Sequence, residues 1–246
     1  MAKKIAFITG GNRGLGLQTA LELKDAATVV IGARNLAQGR EALEKLRAAG
    51  AEADLLEFDA TLPASHKAAY EYFDSRYGLL DILINNAGIS GGTFPGTGPE
   101  HSAGEVPIDL LRRVFETNFF APVALTKTLL PLLKKSAAAR IVNLSSILGS
   151  LSLQATPGSP VYDSKSFAYD ASKTALNAFT IHLAYELRDT KIKVNSAHPG
   201  WVKTDMGGPQ APMDLNEGAK TAVALATLPE DAPTGGFFHL GQTLPW

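Results

Sequence analysis

Short apolar runs recur along the chain, and in the longer segments between them apolar residues return every three or four positions. The runs are rich in Val, Ile and Leu, which indicates strands buried on both faces of a parallel sheet. The spacing in the longer segments predicts amphipathic helices. The predicted strands cover residues 5–9, 28–32, 53–58, 81–85, 140–144, 192–195 and 236–240. The clearest predicted helices cover residues 14–24, 36–49, 64–77 and 172–187.

This alternation of strands and helices predicts an α/β fold, namely a doubly wound parallel sheet of the Rossmann-like kind with helices on both faces. Because no internal repeat or linker divides the 246 residues, we expect a single domain over residues 1–246. Ligands of such sheets bind beyond the carboxyl ends of the strands. Loops at residues 91–104, 149–166 and 207–216 follow strand ends, and we expect them to form the walls of a substrate cleft.

Composition argues against several other classes of protein. The formal net charge of -1 gives no basic field for nucleic acid and no polybasic membrane patch. Because the chain has no cysteine and only 5 histidines, we expect neither disulfides nor a metal site. No apolar stretch approaches the length of a membrane span, so we expect a soluble cytoplasmic protein.

Glycines cluster directly after the first predicted strand, in the run Thr9-Gly10-Gly11-Asn12-Arg13-Gly14-Leu15-Gly16. Glycine allows a tight turn and lets the main chain approach a pyrophosphate, while the start of the next helix offers N–H groups and a positive dipole. A glycine-rich turn alone also fits a plain loop. Its position between an apolar strand and an apolar helix favours a dinucleotide site.

The residues after the second predicted strand distinguish NAD from NADP. An acidic residue there would bind the ribose 2′-hydroxyl of NAD, but residues 29–40 contain none. Arg34 and Arg13 instead offer two guanidinium groups that could converge on a 2′-phosphate. This favours NADP(H), although both arginines also fit ordinary surface charges.

Tyr169 and Lys173 lie four positions apart, which places them on one face of a helix. Hydride reduction of a carbonyl leaves negative charge on oxygen, so the site must deliver a proton. A phenol with an ordinary pKa of about 10 holds its proton at neutral pH, and a nearby cation lowers that pKa. We therefore predict Tyr169 as the general acid and Lys173 as the cation. Tyr162 has Ser166 four positions on and lacks such a partner.

Together these features resemble the short-chain dehydrogenase/reductase family. The motifs that carry the resemblance, in the family's order, are Thr9-Gly10-x-x-x-Gly14-x-Gly16, Asn85-Asn86-Ala87-Gly88, Asn118, Ser146, Tyr169-x-x-x-Lys173 and Pro199-Gly200. The interval between Ser146 and Tyr169 is longer than in the commonest members and resembles the carbonyl-reductase-like branch. Many members form tetramers through this region, whereas such an insertion can keep a chain monomeric, so both states stay open.

The resemblance also implies roles for individual residues. Ser146 binds the carbonyl oxygen, and strand alternation turns Ser145 away. Asn118 supports a proton relay by holding a water in its helix, and Lys173 also grips the nicotinamide ribose. With the glycine turn and the two arginines, the expected cofactor-binding set is Gly10, Asn12, Arg13, Gly14, Leu15, Gly16, Arg34, Asp59, Ala60, Asn86, Ala87, Gly88, Tyr169, Lys173, Pro199, Gly200, Val202 and Thr204.

The expected function is therefore NADPH-dependent reduction of a small ketone or aldehyde to an alcohol. Trp201, Met206 and Phe94 are candidates for the apolar walls of the substrate pocket. For Asp59, expected at the adenine, a role in forming a turn is nearly as good an interpretation. Two alternatives stay open, an NAD-dependent alcohol dehydrogenase on the same fold and a non-catalytic NADP(H)-sensing regulatory protein.

Overall fold

The computed structural model describes residues 3–92 and 101–246. The strands are β1 Lys4–Thr9, β2 Ala27–Ala33, β3 Ala53–Glu57, β4 Ile82–Asn85, β5 Arg140–Leu144, β6 Lys193–Ala197, β7 Phe237–His239 and β8 Gln242–Thr243. The helices are α1 Gly14–Glu22, α2 Leu36–Ala48, α3 Pro63–Arg76, α4 Ile108–Phe115, α5 Ala121–Lys135, α6 Leu151–Ala155, α7 Phe167–Glu186 and α8 Leu215–Ala226. A π-helical turn, Glu116–Phe120, joins α4 to α5, and a short 3-10 turn covers Ile147–Gly149.

The described strands form one eight-stranded sheet in the order β3-β2-β1-β4-β5-β6-β7-β8. All neighbours are parallel except β7 and β8, which pair antiparallel. The direction of strand order reverses between β1 and β4, and in doubly wound sheets ligands bind at that reversal, outside the carboxyl ends of the strands. The α/β fold class expected from the alternation is confirmed.

The sheet carries a separate apolar core on each face, because successive side chains of a strand point to opposite sides. Phe7, on one face, packs with Phe73 of α3 and with apolar residues of α5 and α7. Ile8, on the other face, belongs to the core formed with α1, α2 and α8. Strands covered on both sides explain why the apolar runs of the sequence do not alternate with polar residues.

The structure corrects two boundaries near the expected site. Helix α7 begins at Phe167, five positions before the predicted start at residue 172, so Tyr169 lies inside its first turn. The predicted loop 149–166 contains α6, whose first turn is held by the Ser150 hydroxyl accepting from the N–H of Leu153 at 3.2 Å. None of the helices in the described part of the chain is both long and apolar enough to cross a membrane.

Candidate active site

The turn between β1 and α1 presents main chain rather than side chains at the edge of the sheet. Gly10 and Gly14 have φ values of 63° and 53°, in the left-handed region that favours glycine. A Cβ atom on Gly16 would lie 2.4 Å from the carbonyl oxygen of Gly10. The first turn of α1 contains no acidic residue, and its N-cap, Arg13, makes no side-chain capping bond. The free N–H groups at this helix start therefore suit a phosphate.

Asn86 ties the glycine turn to the end of β4. Its Nδ2 atom donates to the carbonyl oxygens of Thr9 at 2.8 Å and Gly10 at 3.2 Å. The main-chain N–H groups of Asn86 and Ala87 both donate to the Thr9 hydroxyl at 3.0 Å. These bonds join the Asn86-Ala87-Gly88 motif to the glycine turn and fix the shape of that turn.

A cleft of about 430 Å³ opens beyond the glycine turn and the strand ends. Most of the expected cofactor-binding residues line it, namely Gly10, Asn12, Arg13, Gly14, Leu15, Gly16, Arg34, Asp59, Ala60, Asn86, Ala87, Gly88, Tyr169, Lys173, Pro199 and Thr204. Gly200 and Val202 line a neighbouring cavity instead. The glycine cradle and the helix start fit a dinucleotide pyrophosphate on the cleft floor. We call this space the cofactor cleft.

The two arginines expected at a 2′-phosphate both line the cofactor cleft, but the structure gives them different partners. The Arg13 guanidinium donates to the Asp205 carboxylate at 2.6 Å, joining the glycine turn to the loop after β6. Arg34 is exposed, and its positive charge lowers the pKa of the nearby Asp59. Arg34 is thus the arginine better placed for an added phosphate, and the convergence of both stays a prediction.

Asp59 forms a turn, which is the alternative interpretation that the sequence allowed for this residue. Its Oδ1 atom accepts from the Thr61 N–H at 2.9 Å and from the Thr61 hydroxyl at 2.8 Å. Burial raises the pKa of Asp59, but the bonds from Thr61 and the charge of Arg34 outweigh it and leave the pKa below its ordinary value. Asp59 also lines the cofactor cleft beside Ala60, so the turn that Asp59 forms is part of the cleft wall.

Tyr169 and Ser146 meet at the edge of the sheet. Ser146 follows β5, and its hydroxyl accepts from the Leu148 N–H at 3.2 Å. Burial raises the pKa of Tyr169 to about 12, the nearby Ser146 side chain opposes this rise, and the charge of Asp170 adds to it. The phenol therefore holds its proton at neutral pH, as a general acid must.

Lys173 lies one helical turn after Tyr169, with its Nζ atom 5.5 Å from the centre of the tyrosine ring. The ammonium donates to the carbonyl oxygen of Leu144 at 2.7 Å. Burial lowers the pKa of Lys173 to about 8. In this structure burial is the largest influence on both side chains, and the expected lowering of the Tyr169 pKa by Lys173 stays a prediction.

Asn118 lies in the π-helical turn and is 1% exposed, so it is not a surface residue. Its Nδ2 atom donates to the carbonyl oxygen of Ile89 at 2.8 Å and to the Ser172 hydroxyl at 3.0 Å. Its Oδ1 atom accepts from the Ile89 N–H at 2.9 Å. The side chain thus ties the turn after β4 to α7, and π-helical turns are frequent at functional sites.

A second cavity, of about 750 Å³, lies on the other side of Tyr169, and we call it the substrate cavity. Ser146 and Tyr169 line it, whereas Ser145 lines the cofactor cleft. The expected wall residues Trp201 and Met206 also line it, and Phe94 lies outside the described residues. Its lining also includes Pro160, Val161, Asp163, Ser164, Lys165 and Ser166 of the 149–166 insertion, and His101 and Ser102 from the segment before α4.

The segment after β6 separates the two spaces. Pro199 and Thr204 line both, and the Thr204 hydroxyl accepts from the Gly207 N–H at 2.9 Å. Sequence reasoning missed His198 and Asp205 beside this segment. Their positions next to the Pro199-Gly200 and Thr204 matches were the available signal. In residues 3–92 and 101–246, no group of three or more His, Asp or Glu side chains could hold a metal ion.

A family model described as short chain dehydrogenase matches residues 4–214. The chain is 34% identical to Carbonyl reductase (NADPH) 1 of Mus musculus over 100% of this chain and 99% of that protein. It is also 31% identical to Short-chain dehydrogenase/reductase 1 of Saponaria officinalis, over 99% of this chain and 96% of that one.

Solved structures give the same result. The NADPH-bound carbonyl reductase from chicken fatty liver superposes with a TM-score of 0.84 at 29% identity, covering 100% of both chains. The carbonyl reductase Sniffer of D. melanogaster superposes with a TM-score of 0.84 at 34% identity, again over 100% of both chains. The similarity therefore spans the whole fold, including both spaces beside Tyr169.

Proposed function

Because the chain belongs to the short chain dehydrogenase family, we propose that it reduces a small ketone or aldehyde to an alcohol, with Tyr169 as the general acid. The relatives make it an NADP(H)-dependent oxidoreductase of the carbonyl reductase class. One observation carries the assignment of the acid. Tyr169 lines both the cofactor cleft and the substrate cavity, and Ser146 lines the substrate cavity beside it.

The source of the proton follows from the position of Tyr169. NADPH, when bound, supplies the hydride that the carbonyl carbon receives. The carbonyl oxygen lies between the hydroxyls of Ser146 and Tyr169, and both stabilise its developing negative charge. Tyr169 then gives its proton to that oxygen, which completes the alcohol.

Lys173 and Asn118 support this step. The Lys173 ammonium lies beside the phenolate that Tyr169 becomes and stabilises it, and it would also hold the nicotinamide ribose hydroxyls. Its pKa of about 8 leaves it able to pass a proton onward as well as to hold one. Asn118 keeps the turn after β4 in contact with α7, where a water can join the relay to solvent.

The cofactor would be held mainly by main chain. The glycine turn and the start of α1 would take the pyrophosphate, Arg34 would take the 2′-phosphate, and Asp59 and Ala60 would border the adenine. Val202 and Thr204 would border the carboxamide end of the nicotinamide. The small carbonyl substrate occupies the substrate cavity.

The test is oxidation of NADPH with a panel of aldehydes and ketones, for the wild type and for Tyr169→Phe. We expect the variant to lose about 100- to 10,000-fold in kcat, the range that general acid catalysis contributes. NADPH affinity, measured by titration of cofactor fluorescence, should change less than about threefold, because the substitution leaves the glycine turn that would hold the pyrophosphate unchanged.

Tyr162→Phe is the matched control, because Tyr162 is a nearby tyrosine outside the proposed machinery and 37% exposed. It should keep the wild-type kcat. Unchanged turnover in Tyr169→Phe would contradict the assignment of the acid. Binding of NADPH by the wild type without turnover of any carbonyl or alcohol would favour the regulatory alternative, and equal use of NADH would favour the NAD-dependent one.

A further inference from the structure

His198 is a buried side chain that the proposed mechanism does not use. It directly follows β6 and is 8% exposed. Its main chain is fixed on both sides, since its N–H donates to the carbonyl oxygen of Phe238 at 2.8 Å and its carbonyl oxygen accepts from His239 at 2.9 Å. The two imidazole rings lie 4.8 Å apart. The ring of His198 is therefore held in one place at the border of the substrate cavity.

The Nδ1 atom of His198 serves two segments at once. It accepts from the N–H of Ile147 at 3.2 Å and from the N–H of Gly200 at 3.4 Å. Ile147 is the residue after Ser146, whose hydroxyl is itself held by the Leu148 N–H. Gly200 has a φ of 87° and belongs to the turn that lies between the two spaces. One acceptor atom thus joins the serine segment to this turn.

An acceptor role requires a neutral ring with its proton on Nε2. Burial lowers the pKa of His198 to about 3, and the charge of His239 adds to the effect. The lone pair on Nδ1 is therefore present throughout the neutral range. A protonated ring would carry a proton on Nδ1, so a donor would face the N–H groups of Ile147 and Gly200 and both contacts would break.

We propose that His198 is a positioning residue, which uses Nδ1 to hold the peptide after Ser146 and the Pro199-Gly200 turn in one fixed relation. The inference rests on the proposed function, since it concerns how the serine that holds the carbonyl is placed against the nicotinamide side of the site. Reactions that depend on near-attack geometry lose about 100-fold when a reacting group moves by about 1 Å. Loss of the acceptor should therefore appear in kcat.

The variants are His198→Leu, which removes the acceptor, and His198→Asn, whose Oδ1 atom can take the place of Nδ1. His198→Leu should lower kcat by about 10- to 100-fold, while the dissociation constant of NADPH changes less than about threefold. His198→Asn should recover kcat to within about threefold of the wild type. His182→Leu is the matched control, because His182 is an exposed histidine of α7 that lines neither space, and it should also stay within about threefold.

Nitrogen-15 NMR of the wild type tests the same inference without turnover. The ring of His198 should appear as the neutral Nε2–H tautomer with a hydrogen-bonded Nδ1 from pH 6 to pH 9. The opposite tautomer would overturn the inference, as would an equal loss of kcat in His198→Asn and His198→Leu, or in His182→Leu. If the wild type reduces no carbonyl, the proposed function fails, and the tautomer alone decides the role of His198.

Discussion

The cofactor cleft and the substrate cavity share Tyr169 but are built from different parts of the chain. The cofactor cleft is lined by the glycine turn and by the ends of β1, β2 and β4, and its lining includes Gly10, Gly14, Gly16, Gly32 and Gly88. The substrate cavity is lined mostly by residues 160–166 and by the segment after β6. Dinucleotides share one pyrophosphate that main-chain N–H groups can recognise, whereas carbonyl substrates differ in size and shape. The contrast teaches that Tyr169, the proposed general acid, borders a glycine-rich surface suited to a shared pyrophosphate and a second surface built from loops.

The difference has an energetic consequence. On the cofactor side a single added methyl group acts on rigid main chain, so its effect on binding should be large. On the substrate side a change in one side chain acts on a loop wall that can adjust, so its effect should be smaller. The predictions below test this contrast, from the largest expected effect to the smallest.

Gly16→Ala tests the rigid side. The new Cβ atom would lie 2.4 Å from the Gly10 carbonyl oxygen and 2.6 Å from Nδ2 of Asn86, so the turn has to open. We expect NADPH affinity to fall at least about 100-fold, equivalent to nearly 3 kcal/mol, as measured by fluorescence titration. Gly104→Ala is the control, since its Cβ atom would meet nothing within 4 Å. If Gly16→Ala bound NADPH with wild-type affinity, the expected difference between the cofactor side and the substrate side would be contradicted.

Arg34→Asp tests the one place in the cofactor cleft where a side chain is expected to decide the ligand. A charged hydrogen bond to the 2′-phosphate contributes about 1.5–3 kcal/mol, so the ratio of kcat/KM for NADPH to that for NADH should fall about 10- to 100-fold. Arg40→Asp, on the exposed face of α2, should leave the ratio unchanged. An unchanged ratio in Arg34→Asp would assign the phosphate to another group, with Arg13 the first candidate.

The same contrast explains what could be predicted from sequence. Glycine positions and apolar runs report main-chain geometry directly, so the glycine turn and the positions of the strands along the chain could be predicted. The candidate catalytic residues needed family motifs as well. The start of α7 was placed five residues too late, although Ser166, its N-cap, is of a residue type favoured at helix starts. The side-chain partners were out of reach, since the pair Arg13 and Asp205 joins positions 192 residues apart.

The insertion illustrates the limit on the substrate side. Residues 149–166 have no apolar period long enough to predict a helix, yet α6 forms there because tertiary contacts hold it. Gln154 of α6 donates to the carbonyl oxygen of Leu148 at 3.1 Å and to the Asp170 carboxylate at 3.2 Å. A glutamine in a polar loop gives no sign in the sequence of either partner.

Asp170→Asn tests how this wall is anchored, and its expected effect is the smallest. The Asp170 carboxylate accepts from Gln154 and from the Ser166 N–H at 2.9 Å, yet burial raises its pKa from 3.8 to about 7. A carboxyl with a raised pKa contributes stability that is present below pH 3.8 and is lost as the pH rises through about 7. The wild type should therefore lose about 1 kcal/mol of unfolding free energy between pH 6 and pH 7 in urea denaturation, and Asp170→Asn should not. Asp189→Asn, with a side chain 87% exposed, should keep the wild-type pH dependence, and an Asp170→Asn variant that also keeps it would show that the wall is anchored elsewhere.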